Sequence, residues 1–304
     1  MAPHDWLAAG YASWLLGVAV WGQRAQEARM QQALLSVAVL GVLLGFRSGL
    51  LGSNAGPIAL YRLSLLAALQ LPYFLLRDLI PAATSAVLDE SLYRVDLALF
   101  GGEPSLWLDR LITPGRTEWF AFFYFSYFMV LAVHTLPILF LERRARLAQE
   151  FATGMVGVFA LGQFCYFMVP GYGPYLHLAD LYQNPLPVGF WMDLVLRTVQ
   201  SSGALLDIFP SLHTAGPLYI ALFSFRHRAL RPFRYTWPLV AFFSANIILA
   251  TLYLRWHYGI DVLAGIVLAV GWLYLAPRLV SWHCRRLVAP DVSWPALSPW
   301  ALKR

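Results

Sequence analysis

In the stretch "LYLRWHYGIDVLAG", residues 252–265, a histidine and an aspartate stand four positions apart as His257 and Asp261. On a helix that spacing puts both on one face. A carboxylate there can accept a hydrogen bond from one ring nitrogen and leave the other as an oriented lone pair, the base and orienter of a nucleophilic constellation. Upstream, "DIFPSLHTAG" (207–216) carries a second histidine, His213. Pro210 and Ser211 read as the start of a helix with Ser211 as its N-cap. His213 then lies in a first turn whose unpaired N–H groups favour an anion such as phosphate. Arg255, two residues before His257, offers a forked guanidinium suited to phosphate oxygens. Because the reference pKa of histidine is about 6.5, one imidazole can be a neutral nucleophile while another donates a proton.

Such residues need elements that bring them together. Of 304 residues 59% are apolar and only 12% charged, against roughly a quarter charged in an ordinary soluble domain. Apolar runs near 6–22, 33–51, 58–76, 119–141, 151–170, 208–225, 237–254 and 258–276 approach the roughly 20 residues that cross a bilayer as helix. The expected fold is all-α, a polytopic membrane helical bundle with six to eight transmembrane helices. Segments 142–150, 226–234 and 277–304 hold three, four and five of the 22 Lys/Arg. The connections 81–118 and 171–207 hold four, against nine acids. Lys/Arg bias marks the cytoplasmic face, which places both connections outside. Between His213 and His257 lie one span out, the basic turn and one span back, so both histidines are expected at one extracytoplasmic surface. The positive charge is concentrated in these turns, which argues against a nucleic-acid partner. The two cysteines, Cys165 and Cys284, give no disulfide framework or zinc pattern.

"FPSLHTA" and "LRWHYGIDVLAG" resemble two signature motifs of the type 2 phosphatidic acid phosphatase superfamily, and most of all its branch of inositol phosphorylceramide synthases. "VDLALFGGEPSLWLDRL" and "FFYFSYF", upstream, resemble the same branch, and the resemblance covers roughly residues 90 to 276. It implies N-terminal transmembrane helices over 1–80, a catalytic membrane domain over 81–280 and a cytoplasmic tail over 281–304. It implies that His257 attacks phosphorus and becomes a phosphohistidine, that Asp261 orients it, and that His213 is the acid and then the base. Ser211 and the nearby helix N-terminus would hold phosphoryl oxygens, with Arg255 as a further ligand. The activity implied is a lipid phosphotransferase or phosphatase. Its partners are a membrane lipid with a phosphorylated headgroup and a hydroxyl acceptor or water, with no metal, nucleotide or redox cofactor. Two features depart from the family pattern: no Lys–Arg–Pro motif is present, and Ala250 and Thr251 replace the usual Ser–Arg pair before the histidine. Arg77, Arg94, Arg110, Arg116 and Arg197 are further candidates for phosphate.

Plainer readings compete. His257 and Asp261 could be a structural interfacial pair, or could hold a metal with His213 as third ligand. Arg255 could snorkel, and Ser211 could serve only as a cap. His134 reads as helix packing, Asp207 as a loop residue, "GYGPYLH" (171–177) as a re-entry turn or headgroup pocket, and Asp96 as part of an interfacial segment. The aromatic clusters read as interface anchors. A non-catalytic lipid binder or transporter is the alternative of a different class, and it would tolerate loss of either histidine.

Overall fold

The computed structural model describes residues 1–202 and 205–286, with Trp294, Pro295 and Leu297. Most of the expected tail 281–304 therefore lies outside the described residues. The helices are α1 (Pro3–Trp21), α2 (Gln26–Arg47), α3 (Ala55–Gln70), α4 (Leu76–Ala83), α5 (Asp89–Phe100), α6 (Pro104–Asp109) and α7 (Pro114–Phe140). They continue as α8 (Ala145–Met168), α9 (Pro174–His177), α10 (Phe190–Ser202), α11 (Leu212–Arg226), α12 (Phe233–Tyr253) and α13 (Gly259–Cys284). No strand occurs among the described residues. Proline opens α6, α7 and α9, where its missing N–H costs nothing. Gly101, at φ 73°, closes α5 in the left-handed conformation.

Six of these are long and apolar enough to cross a membrane: α2, α3 continued through α4 to Ala83, α7, α8, α12 and α13. The chain is an integral membrane protein. The expected span 208–225 is a 15-residue helix, α11. At 1.5 Å per residue that is about 22 Å, short of the roughly 30 Å hydrocarbon core. Its burial explains how a shorter helix suffices, since ten of its residues are buried and it presents little surface to lipid. The last helix runs on past the expected 276 to Cys284, taking the first residues of the expected tail into regular helix.

The chain divides into two compact units. One comprises Met1–Ala83, Val133–Ala160 and Trp272–Arg304. In it the arginines that interrupt the N-terminal spans find internal partners, as charges in a membrane must. Arg47 donates to Asp5 at 2.7 Å and to the Tyr61 hydroxyl at 2.6 Å. Arg62 donates to the carbonyl of Leu139 at 2.6 Å. The other unit, Thr84–Ala132 with Leu161–Gly271, contains His213, His257 and Asp261. There α11 and α12 pack as a helical hairpin through the basic turn 227–232. The N-terminus of α11 and the C-terminus of α12 consequently share one end.

Candidate active site

The segment from Arg255 to Asp261 is a tight turn between α12 and α13, and its backbone is held by hydrogen bonds at both ends. Its entry is fixed by Thr251, whose carbonyl accepts the N–H groups of Trp256 at 2.9 Å and His257 at 3.3 Å. Arg255 takes φ 67° to make the reversal. The Tyr258 hydroxyl donates to Asp89 at 3.0 Å. Gly259 and Ile260 donate their N–H groups to Asp96 at 2.6 and 2.8 Å. Asp261 accepts the N–H of Tyr258 at 2.9 Å, closing the first turn of α13.

His257 is 4% exposed, and its Nδ1 lies 3.4 Å from Asp261 Oδ2. That is contact distance, as the spacing of four anticipated, but Nδ1 has no hydrogen-bond partner and the other Asp261 oxygen is also unpaired. Burial pulls the His257 pKa down to about 4, opposed by the charge of Asp207 and a hydrogen bond with the Ile208 backbone. The ring is therefore neutral near pH 7, the form that carries a lone pair.

His213 faces it from α11, the two ring centroids 6.3 Å apart. Tyr124 stacks on His213 at 4.3 Å and 9°, and Tyr127 packs at 4.1 Å. Both tyrosines come from α7, inside the "FFYFSYF" stretch, whose aromatic rings read as interface anchors from sequence. Ser211 caps α11 through its hydroxyl, which accepts the Thr214 N–H at 3.2 Å. It also donates its own N–H to the Asp261 carbonyl at 3.0 Å. This ties the two histidine-bearing segments together. Gly265, one turn further along α13, permits the approach, because a Cβ there would sit 2.6 Å from the Ser211 carbonyl oxygen.

Arg255 is brought beside the histidine segment, but its guanidinium is already engaged. Nη2 meets Asp109 at 2.7 Å and also donates to the Asn184 carbonyl. The guanidinium lies over the Tyr182 ring at 3.8 Å, and its Nε is buried without a partner. Of the other candidate arginines, Arg94 and Arg197 are exposed and pair with Glu90 and Asp193 one turn away. Arg116 is exposed and bonds the Leu111 carbonyl, Arg110 is exposed, and Arg77, like His134, belongs to the other unit. None of these five is joined to His213 or His257 by a described contact. Ala250 and Thr251 are fully buried, Ala250 in an apolar cluster with Tyr124, Tyr253 and Trp256.

Apart from the exposed Glu90, the acids of the 81–118 connection turn inward rather than forming a charged surface. Asp89 accepts the N–H groups of Tyr172 at 2.9 Å and Gly173 at 2.8 Å, holding the "GYG" turn. Gly173, at φ 97°, presses its Cα against the Trp256 carbonyl, where a Cβ would come within 2.6 Å. Glu118 caps α10 through the N–H groups of Trp191 and Met192 at 2.9 and 3.0 Å. Burial raises Glu103 to about 7. No group of three or more His, Cys, Asp or Glu among the described residues has the arrangement to hold a metal ion.

This geometry, two buried histidines with a carboxylate beside one of them, coincides with a family match: the PAP2 superfamily model aligns with residues 90–275. The chain belongs to the PAP2 superfamily. No curated protein and no solved structure matches it. The PAP2 match covers α5 to α12 and most of α13 and takes in His213, His257, Asp261, Asp96 and Arg255. PAP2 proteins are phosphatases and phosphotransferases acting on phosphoesters, a chemistry that suits this pair of imidazoles.

Proposed function

We propose that the protein is a lipid phosphotransferase that works through a phosphohistidine on His257 at the extracytoplasmic face of the membrane. The observation that supports this reading most is the pairing of His257 and His213 across 6.3 Å, with Asp261 beside His257. Rings this close can both reach one phosphoester, His257 at phosphorus and His213 at the leaving oxygen. In the first step a lone pair of His257 attacks phosphorus and the phosphoester P–O bond breaks. The leaving oxygen takes a proton from His213. In the second step His213 takes the proton of an acceptor hydroxyl, whose oxygen attacks phosphorus as the N–P bond breaks. Asp261 stabilises the charge that develops on the His257 ring. Ser211 serves the site as the cap that aims the first turn of α11, and Arg255, through its unpaired Nε, completes the phosphate cradle.

Transfer rather than hydrolysis fits the resemblance to inositol phosphorylceramide synthases. The burial of His257 fits it too, because a closed site limits water. The deciding experiment supplies purified protein, in excess chelator, with a phospholipid labelled in its headgroup and a panel of lipid and polyol hydroxyl acceptors. Label on a new lipid is expected. Label released only into water, whatever acceptor is present, identifies a phosphatase. No turnover of any lipid phosphoester leaves a binder or transporter.

A further inference from the structure

The first N–H groups of a helix have no partner within it and must find one elsewhere. In α13 those of Gly259 and Ile260 are met by a carboxylate from another helix, Asp96 of α5, at 2.6 and 2.8 Å. Asp96 is fully buried, and both of its oxygens are used in this way. The backbone it grips, Gly259 and Ile260, lies between His257 and Asp261. The contact is also sterically tight. A Cβ at Gly259 would come within 2.6 Å of Phe100 and 2.9 Å of Pro104, so the corner between α5 and α6 bears directly on the start of α13. By contrast Asp261, the carboxylate beside the histidine, spends one oxygen on the Tyr258 N–H and leaves the other unpaired. The register of His257 against Asp261 is therefore held by an external anchor, and a small rotation of this first turn would move both side chains at once.

We propose that Asp96 is a positioning residue that sets His257 and Asp261 in register by capping α13 from α5. Its carboxylate touches the α13 backbone and acts on the reaction only through that backbone. The inference rests on the phosphohistidine reading for its kinetic consequences but not for its structural one.

The test compares the full-length protein with Asp96→Ala and the milder Asp96→Asn, which keeps one acceptor oxygen for one of the two N–H groups. Three quantities are measured in one detergent: the thermal midpoint, the split of kcat from KM on a lipid phosphoester, and the rate at which diethyl pyrocarbonate modifies His257, read by mass spectrometry. His283, at the far end of α13, is the internal control. For Asp96→Ala the expectation is a loss in kcat of about 100-fold, the scale of an ångström's misplacement, with KM nearly unchanged. His257 modification should quicken by about an order of magnitude, consistent with release of a group buried by packing, while His283 stays as it was. Asp96→Asn should fall between, and it decides the matter if Asp96→Ala does not fold. A folded variant with wild-type kcat and unaltered His257 modification overturns the proposal and leaves Asp96 a plain structural cap. If the parent protein turns over no phosphoester, the functional reading has failed, and the His257 modification rate alone still decides the role of Asp96.

Discussion

Removal of the Arg255 guanidinium tests how the connections 81–118 and 171–207 are locked onto the histidine segment. In Arg255→Ala the side chain of Asp109, 10% exposed, loses its charged partner at 2.7 Å. Breaking a buried ion pair by deleting one member costs about 3–5 kcal/mol. Asp109 keeps two other donors, the Gln183 N–H at 3.1 Å and the Asn184 side-chain amide at 3.0 Å, which favours the lower end of that range. Loss of the stacking over Tyr182 at 3.8 Å adds about 1 kcal/mol. The expected total is about 4 kcal/mol, or on the order of 10 °C in thermal midpoint. Asp109→Ala should cost about 3 kcal/mol. The double variant should fall short of the sum by about 1–3 kcal/mol, because the two residues share one interaction. Arg255→Lys should fall between wild type and the alanine variant, since both contacts come from the single nitrogen Nη2, which an ammonium can imitate, while the planar stacking over Tyr182 is lost. The assay is equilibrium unfolding in mixed micelles for the four members of the cycle. A cost below about 1 kcal/mol for Arg255→Ala, with strictly additive double-variant behaviour, would refute the clamp.

Two further expectations concern the site itself. Because burial holds the folded pKa of His257 at about 4, the ring is protonated and non-nucleophilic only below that value. The acid limb of kcat/KM should therefore fall near pH 4 to 5 rather than near the unperturbed value of about 6.5. Asp207 raises that pKa by its charge, so Asp207→Asn should move the limb to lower pH; a limb near 6.5 in the parent, or a shift upward in the variant, contradicts the assignment. Gly265→Ala places a methyl 2.6 Å from the Ser211 carbonyl and must push α11 from α13. A destabilisation of about 1–3 kcal/mol is expected, with at least about 10-fold lower kcat from misaligned rings, and unfolding plus steady-state kinetics at wild-type level would refute it.

Sequence reading reached the placement of the candidate site residues more easily than the scaffolding around them. The spacing of His257 and Asp261 and the parity of helices between the two histidines are local or countable properties, and the structure brings the three side chains to one end of the bundle. The helical class and membrane character follow from apolar run length alone. The acids of 81–118 were harder to interpret. As a composition they mark a face of the membrane, yet Asp89, Asp96, Asp109 and Glu118 each bind groups of segments distant in sequence. No periodicity reveals such long-range capping. Tyr124 and Tyr127 were hidden for a related reason: an aromatic run on a membrane helix looks the same whether it meets lipid or an imidazole. One signal was available for Gly259 and Gly265, since glycines on either side of Asp261 mark places where another backbone or side chain comes close. The length of α11, 15 residues, is less legible, because apolar run length cannot distinguish a helix facing lipid from one enclosed by protein.

The most direct test of the central claim is to capture the covalent intermediate. Protein mixed with a phospholipid labelled on its phosphoryl group is quenched in base, where phosphohistidine survives, then digested and mapped by mass spectrometry. The phosphoryl group is expected on the peptide bearing His257, absent in His257→Ala, and diminished in Asp261→Asn. In His213→Ala it should form slowly and persist, because the acceptor hydroxyl lacks its base. Turnover at the wild-type rate by His257→Ala, or a stable phosphoryl group on any other residue, would contradict the account.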